Sequence, residues 1–255
     1  MTDSVTRDRA FEGRICVVTG GTRGIGHATA SALAEQGATV VLTGRDEAAA
    51  KERAAELAAQ HGTVVAGHAL DVTDSAQVRA FFTGTAREYG AVDCLVANAG
   101  AMEDALVGMM RDEHISRMLD TNVVGTITCL QAAARVMMRK RTGSIVLLAS
   151  IVGERGSAGQ SVYAASKGAV TALTKSTAKE LGRHGIRVNA VAPGMIRTDL
   201  IANVPDEVVE RRTADTALGR VGTPEDVARA IRFLCGTDAE FVTGQILGVD
   251  GGMVL

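Results

Sequence analysis

The chain has 255 residues, of which 46% are hydrophobic and 22% charged, and its net charge at pH 7 is −2. This composition is typical of a globular protein, and the near-neutral charge argues against nucleic acid or an anionic membrane as partner. No apolar run reaches the length of a membrane span, and the charged N-terminus lacks the apolar stretch of a signal peptide. Four widely spaced cysteines without a C-x-x-C pair favour buried, reduced thiols in a cytoplasmic protein.

Short apolar runs alternate with longer Ala-rich amphipathic stretches along the chain. The apolar runs predict buried strands at residues 14–19, 39–43, 63–69, 92–97, 144–149, 187–192 and 245–249. The amphipathic stretches predict helices at residues 25–36, 47–61, 75–89, 113–140, 161–183 and 224–235. This alternation predicts one α/β domain over residues 1–255, a single-domain Rossmann fold with a doubly wound, parallel, seven-stranded sheet and helices on both faces. Residues 1–10 are expected to form a flexible extension.

The first predicted strand runs directly into a glycine-rich loop with the spacing G-x3-G-x-G, and a predicted helix follows. Glycines let the backbone approach a pyrophosphate closely, and the helix N-terminus supplies amide donors and a positive dipole. A glycine-rich turn can also simply join strand to helix, but its place after the first strand favours a dinucleotide site. The predicted contacts to the dinucleotide are Gly20, Thr22, Arg23, Gly24, Ile25 and Gly26.

The end of the second strand indicates which dinucleotide would bind. Dinucleotide folds commonly place Asp or Glu there to hold the ribose 2′-hydroxyl, whereas this chain has Gly44 followed by Arg45. A carboxylate would repel a 2′-phosphate, but a guanidinium can bind it with two hydrogen bonds, and Arg23 can add a second positive charge. The sequence therefore favours NADP(H) over NAD(H). The alternative is that both arginines are ordinary solvated surface residues.

A candidate proton-transfer group lies further along the chain, where Tyr163 and Lys167 are four residues apart on a predicted helix. Residues at i and i+4 share one helix face, so the ammonium is expected to lower the pKa of the phenol towards neutral pH. Ser150, thirteen residues upstream at a strand end, can polarise a carbonyl group. Together these groups could deliver a proton to a C–O group or remove one from it.

These motifs, in this order, resemble the short-chain dehydrogenase/reductase family from about residue 11 to the C-terminus. The resemblance implies that Asn122 completes a catalytic set with Ser150, Tyr163 and Lys167, and that it holds a water molecule linking Lys167 to solvent. No metal site is implied. The resemblance extends the cofactor site to Asp71, which would contact the adenine, and to the segment with Pro193, Gly194 and Thr198, which would meet the nicotinamide end. The other implied cofactor residues are Val72, Asn98, Ala99, Gly100, Tyr163, Lys167 and Ile196. One departure is Ala97, where the family frequently has a second asparagine before Asn98.

Within the family, the segments 20–26, 159–163, 191–199 and 242–245 are similar to those of 3-oxoacyl-[acyl-carrier-protein] reductases. That similarity implies reduction of a 3-oxoacyl thioester: NADPH gives a hydride, Tyr163 gives the proton and Ser150 holds the carbonyl oxygen. Other ketone/alcohol pairs, such as a polyketide, sugar or steroid, remain open. A non-catalytic dinucleotide-binding regulator is a further alternative, but such a protein would be expected to have lost Tyr163 or Lys167.

Three further features concern partners and motion. Arg135, Arg139, Lys140 and Arg141 end the long predicted helix, where cations are favourable at a helix C-terminus. The resemblance offers a second interpretation, in which Arg135 and Lys179 bind an acidic acyl carrier protein. Residues 196–218 lack a strand pattern and are predicted to form a mobile helical lid over the substrate. The family also implies a homotetramer built through two long helices and the C-terminal strand.

Overall fold

Seven parallel strands form one sheet in the order β3-β2-β1-β4-β5-β6-β7. A computed structural model of the chain describes residues 9–199 and 206–254. The predicted fold class is confirmed, and each predicted strand lies within two residues of an observed one. The strands are β1 (Ile15–Thr19), β2 (Thr39–Gly44), β3 (Val65–Ala69), β4 (Cys94–Ala97), β5 (Gly143–Leu148), β6 (Ile186–Pro193) and β7 (Ile246–Val249).

Helices connect successive strands and cover both faces of the sheet. They are α1 (Gly24–Glu35), α2 (Glu47–His61), α3 (Ser75–Tyr89), α4 (Asp112–Leu119), α5 (Thr126–Lys140), α6 (Val152–Arg155), α7 (Ser161–Gly182), α8 (Asp206–Ala214) and α9 (Pro224–Cys235). The long helix predicted at 113–140 is interrupted, because a π-helical segment, Asp120–Gly125, separates α4 from α5. Short 3₁₀ turns at Val107–Met109 and Thr237–Ala239, together with α6, were not predicted.

Local sequence signals explain where several helices begin. The carboxylate of Asp74 accepts hydrogen bonds from the backbone of Ala76 and Gln77 at the start of α3. Thr223 and Asp226 form a capping box at the start of α9, in which each side chain accepts from the other residue's backbone N–H. Such caps satisfy amide groups that have no partner within the helix, and they fix its first turn.

Alternate strand residues build two hydrophobic cores, one on each face of the sheet. Val17 and Leu95 point into the core that α3, α5 and α7 cover, where Phe82 and Met137 also pack. Cys16, Val18 and Val96 point into the opposite core, which α1, α2 and α9 cover. All four cysteines are buried and free, as predicted. Because both faces are covered, the open edge at the carboxyl ends of the strands is where a ligand can reach the fold.

The predicted extension and lid are described only in part. Residues 1–8 and 200–205 lie outside the described part of the chain, so the flexibility of residues 1–10 stays a prediction. In the lid segment 196–218, the described structure has helix α8, and Ile196 pairs with Gly222 and packs in the core. Thr216 pairs in turn with Met253 near the C-terminus. Residues 206–214 of the segment are therefore helical, whereas its mobility and its role as a lid stay predictions. Among the described residues, none of the helices is both long and apolar enough to span a membrane.

Candidate active site

The glycine-rich loop lies between β1 and α1, where the strand order reverses, and its glycines leave room that a side chain would fill. A Cβ atom on Gly26 would lie 2.2 Å from the carbonyl oxygen of Gly20 and 2.5 Å from Nδ2 of Asn98. Gly20 and Gly24 have φ angles of +64° and +54°, which favour glycine. The first turn of α1 holds no acidic residue. The positive end of the helix dipole, which the free backbone N–H groups form, is therefore not neutralised by a neighbouring carboxylate. This backbone cradle fits the pyrophosphate of a dinucleotide.

Asn98 braces the cradle from the neighbouring strand. Its Nδ2 donates to the carbonyl oxygens of Thr19 at 3.1 Å and Gly20 at 2.9 Å. The hydroxyl of Thr19 accepts in return from the backbone N–H of Asn98 at 3.1 Å and of Ala99 at 3.2 Å. The predicted cofactor residue Asn98 is therefore engaged with the loop itself, and Ala99 and Gly100 follow it along the edge of the cleft.

The residues predicted to bind the adenine end lie beside the tips of β2 and β3. A Cβ on Gly44 would lie 2.7 Å from Cγ2 of Thr22, so Gly44 lets the loop approach β2. Arg45 is exposed there. The carboxylate of Asp71 accepts from the backbone and hydroxyl of Thr73, at 2.9 and 2.8 Å. These hydrogen bonds, with a smaller contribution from the charge of Arg45, lower the pKa of Asp71.

Arg23 takes part in an ion pair that crosses the cleft. Its guanidinium lies 3.4 Å from the carboxylate of Asp199, which belongs to the segment after β6, and both side chains are exposed. Exposed pairs of this kind contribute little to stability. Arg23 therefore remains able to exchange Asp199 for a phosphate, as its predicted role requires.

The predicted catalytic side chains meet at the end of β5 and the start of α7. The hydroxyls of Ser150 and Tyr163 form a hydrogen bond, and Oγ of Ser150 also accepts from the backbone N–H of Val152 at 3.2 Å. Lys167 is buried, and its Nζ donates to the carbonyl oxygen of Leu148 at 2.7 Å. The same Nζ lies 5.7 Å from the centre of the Tyr163 ring.

The prediction that Lys167 lowers the pKa of Tyr163 is wrong for this geometry. Burial raises the pKa of Tyr163 to about 12, and the hydrogen bond with Ser150 opposes this only in part. Burial also lowers the pKa of Lys167 to about 8. The ammonium is directed to the carbonyl oxygen of Leu148 rather than to the phenol hydroxyl. Desolvation, which favours the neutral form of each group, is therefore the main cause of both pKa shifts.

Asn122 lies in the π-helical segment and is buried. Its Oδ1 accepts from the backbone N–H of Ala101 at 2.8 Å, while Nδ2 donates to the carbonyl oxygen of Ala101 at 2.8 Å and to Oγ of Ser166 at 3.0 Å. The side chain thus joins the loop after β4 to helix α7. The water-holding role that the resemblance implied for Asn122 stays a prediction.

The residues predicted to meet the nicotinamide end follow β6 and cross above the glycine-rich loop. The N–H of Gly194 donates to the carbonyl oxygen of Val249 at 3.1 Å. A Cβ on Gly24 would lie 3.3 Å from Cγ2 of Thr198, so this segment borders the pyrophosphate cradle. The side chain of Ile196 packs in the core, so only its backbone could contact a cofactor, and this contact stays a prediction.

Sequence reasoning missed a small cluster at the mouth of the cleft. Nε2 of Gln160 donates to Oδ1 of Asp104 at 3.0 Å and lies 3.6 Å from the sulfur of Met102. The negative charge of Asp104 adds to the rise in the pKa of Tyr163. Gln160 lies in a segment that resembles the family, but nothing in the local sequence of Asp104 signals this contact.

Known proteins share this arrangement over almost the whole chain. The family model described as Enoyl-(Acyl carrier protein) reductase matches residues 20–254. A 3-oxoacyl-[acyl-carrier-protein] reductase of Chlamydia muridarum is 41% identical, over 94% of this chain and 97% of the relative. A 3α-hydroxysteroid dehydrogenase of Mediterraneibacter gnavus is 41% identical over the same shares of the two chains. The solved structure of NAD⁺-bound xylitol dehydrogenase is 30% identical, with a TM-score of 0.91 over 95% of this chain and 99% of that one.

The fold and these relatives define an oxidoreductase that acts on CH–OH/C=O groups with a nicotinamide dinucleotide. The chain belongs to the short-chain dehydrogenase/reductase family. The substrates named for the relatives differ, so membership of the family leaves the substrate of this chain open.

Proposed function

We propose that the protein reduces a 3-oxoacyl thioester, linked to acyl carrier protein or coenzyme A, to the 3-hydroxyacyl product with NADPH. The observation that carries this proposal is the Ser150–Tyr163 hydrogen bond beside buried Lys167, next to the glycine cradle. The substrate class rests on the 41% identity to the Chlamydia muridarum 3-oxoacyl-[acyl-carrier-protein] reductase.

Each residue of the cluster has a defined part in this reaction. When bound, NADP(H) supplies the hydride. Ser150 holds the carbonyl oxygen and stabilises the negative charge that develops on it. Tyr163 donates its proton to that oxygen, and its raised pKa keeps the phenol protonated at neutral pH, as a proton donor requires. Lys167 binds the hydroxyls of the nicotinamide ribose, and Asn122 keeps the loop after β4 in place.

The preference for NADPH rests on the positive charges near the tip of β2. Gly44 replaces the carboxylate that would repel a 2′-phosphate, and exposed Arg45 and Arg23 can pair with it. The neighbouring Asp71 is a competing partner, because the charge of Arg45 already acts on it.

The proposed partners follow from the exposed surface. Carrier-protein docking would use Arg135 on α5 and Lys179 on α7, because exposed cations attract an acidic partner. Assembly into a homotetramer would cover Val124 and Ile127 near the start of α5 and Phe241 before β7, which are all exposed. Four free thiols are consistent with work in the cytoplasm.

A second candidate function is oxidation or reduction of a different ketone/alcohol pair. The observation that favours it is the 3α-hydroxysteroid dehydrogenase of Mediterraneibacter gnavus, which is as similar to this chain as the thioester reductase. The shared cluster would act in the same way on a steroid, and only the walls of the substrate cleft would differ.

The proposal is tested by following NADPH oxidation with an acetoacetyl thioester, with NADH in parallel. Fast turnover with NADPH and little with NADH supports both the substrate class and the cofactor preference. Arg45→Ala should then lower kcat/KM for NADPH about tenfold and leave NADH nearly unchanged. Tight NADPH binding without turnover would reject the thioester, and a panel of ketones, steroids and sugar alcohols would follow.

A further inference from the structure

Two loops meet next to the start of α7, the helix that carries Tyr163. The loop after β4 and the loop before α7 are joined by a backbone hydrogen bond from the N–H of Ala105 to the carbonyl oxygen of Gly159, at 2.8 Å. The side chains repeat the connection, because Nε2 of Gln160 donates to Oδ1 of Asp104 at 3.0 Å. Asp104 is therefore held in place by two neighbouring hydrogen bonds, although its carboxylate is exposed.

These two hydrogen bonds hold the carboxylate of Asp104 beside the start of α7, the helix that carries Tyr163. Gln160 immediately precedes α7, and Tyr163 is the third residue of that helix. Burial is the main cause of the raised pKa of Tyr163, and the negative charge of Asp104 adds to it. The side chain of Ser150, which also contacts the Tyr163 hydroxyl, opposes this rise.

The basic side chains beside this loop have other partners. The carboxylate of the neighbouring Glu103 pairs with Arg117 and lies 2.8 Å from Nδ1 of His114. Lys167 is directed towards the carbonyl oxygen of Leu148. Within the described part of the chain, Asp104 forms no ion pair, so its negative charge is not cancelled at the mouth of the cleft.

We propose that Asp104 is a specificity-determining residue, held by Gln160 so that it disfavours substrates with a free carboxylate near the keto group and admits uncharged esters and thioesters. This inference rests on the proposed reduction of a keto group at Tyr163. A free 3-oxo acid would bring its carboxylate towards Asp104, whereas a thioester carries no charge there. Repulsion between like charges several ångströms apart near a protein surface corresponds to roughly a tenfold or larger loss of kcat/KM.

The decisive variant is Asp104→Asn, because asparagine keeps an acceptor for Gln160 and removes only the charge. We expect kcat/KM for acetoacetate to rise at least about tenfold relative to kcat/KM for ethyl acetoacetate and for an acetoacetyl thioester. Asp112→Asn, which removes a charge from the exposed start of α4, is the matched control and should leave this ratio unchanged. An unchanged ratio in Asp104→Asn, or an equal change in Asp112→Asn, overturns the inference.

The uncharged ester separates this inference from the proposed function. If the enzyme reduces the ester but not the thioester, the thioester proposal fails while the acid-to-ester ratio still tests Asp104. If the wild type reduces none of the three compounds, the assigned chemistry is wrong and the inference fails with it. Asp104→Ala removes both the charge and the hydrogen bond, and it should raise the acid-to-ester ratio of kcat/KM as much as Asp104→Asn does. If the ratio rose in Asp104→Ala alone, the effect would come from loss of the Gln160–Asp104 hydrogen bond, and the proposed role of the charge would be overturned.

An independent measurement tests the electrostatic contact without any substrate. The chain has two tyrosines, Tyr89 and Tyr163, and no tryptophan, so in a Tyr89→Phe background ultraviolet titration reports the phenol of Tyr163 alone. Adding Asp104→Asn should move the titration midpoint to lower pH, because removal of a negative charge favours the phenolate. A midpoint that does not move, with circular dichroism showing a folded protein, would overturn the contact.

Discussion

The ammonium of Lys167 is buried, with the carbonyl oxygen of Leu148 as its partner. Burial lowers the pKa of Lys167 from its usual 10.5 to about 8, which corresponds to a cost on the order of 3 kcal/mol at neutral pH. We expect Lys167→Met to stabilise the fold at pH 7 while abolishing turnover. The net gain should be about 1–2 kcal/mol, because the carbonyl oxygen of Leu148 loses its donor.

The pH dependence of this gain identifies its cause. Below pH 8 Lys167 is charged in the folded and unfolded states, so the wild type bears the full cost of burying the charge. Between pH 8 and 10.5 only the unfolded state keeps the proton, and the stability of the wild type rises with pH. Urea unfolding without nucleotide should therefore show the gain of Lys167→Met at pH 7 and its loss near pH 10.5. A variant less stable than the wild type at pH 7 would contradict this account.

Tyr163 is the proton donor of the proposed mechanism, and Tyr89, at the end of α3, is the natural control. We expect Tyr163→Phe to lower kcat about 10²–10⁴-fold, because general acid catalysis contributes in that range. The dissociation constant for NADPH, measured by fluorescence, should change little, since the ring remains. Tyr89→Phe removes the other phenol hydroxyl and should leave kcat unchanged. A kcat for Tyr163→Phe close to that of the wild type would reject the assignment.

At the scale of elements, the contact between α1 and the glycine-rich loop decides whether the cradle forms. We expect Gly26→Ala to destabilise the protein by about 1–3 kcal/mol and to weaken dinucleotide binding, because the new Cβ meets backbone atoms that cannot move away cheaply. Gly84→Ala, in the exposed middle of α3, is the matched control. A Cβ there has no atom within 4 Å, so this variant should gain roughly 0.5–1 kcal/mol.

Urea unfolding and nucleotide titration of both variants check this prediction. If Gly26→Ala bound nucleotide as tightly as the wild type, the close approach of α1 to the loop would not be needed for the cofactor.

The sequence predicted the elements well because their signals are local, whereas several features of the site depend on distant contacts. Helix periodicity runs through 113–140, and the π-helical segment was missed because Asn122 is held by Ala101 and Ser166, which are far away in the chain. The spacing of Tyr163 and Lys167 predicts that they share a helix face. It does not predict where the ammonium points, because Lys167 donates to the carbonyl oxygen of Leu148 on β5. Asp104 reaches Gln160 across 56 residues, without any periodic signal.

At the scale of the whole molecule, β7 forms an edge of the sheet, and no described strand pairs with its outer side. Strand β7 is last in the order of the sheet, and the preceding Phe241 is fully exposed, while Leu247 within β7 is partly exposed. An unpaired edge beside exposed apolar side chains is unfavourable in water, and a second copy of the chain would cover both. The proposed homotetramer therefore predicts that Phe241 lies in a contact between subunits.

We expect Phe241→Asp to reduce the molar mass measured by light scattering during size-exclusion chromatography. A two-fold contact loses two buried phenylalanines and gains two charges, and the apolar loss alone is about 3–6 kcal/mol per contact. Val64→Asp is the matched control, because Val64 is also exposed but lies next to β3 at the opposite edge of the sheet. A monomeric wild type, or a Phe241→Asp variant of unchanged mass, would exclude this contact. If the smaller species kept its kcat, each subunit would carry a complete active site, as expected from a cluster built from a single chain.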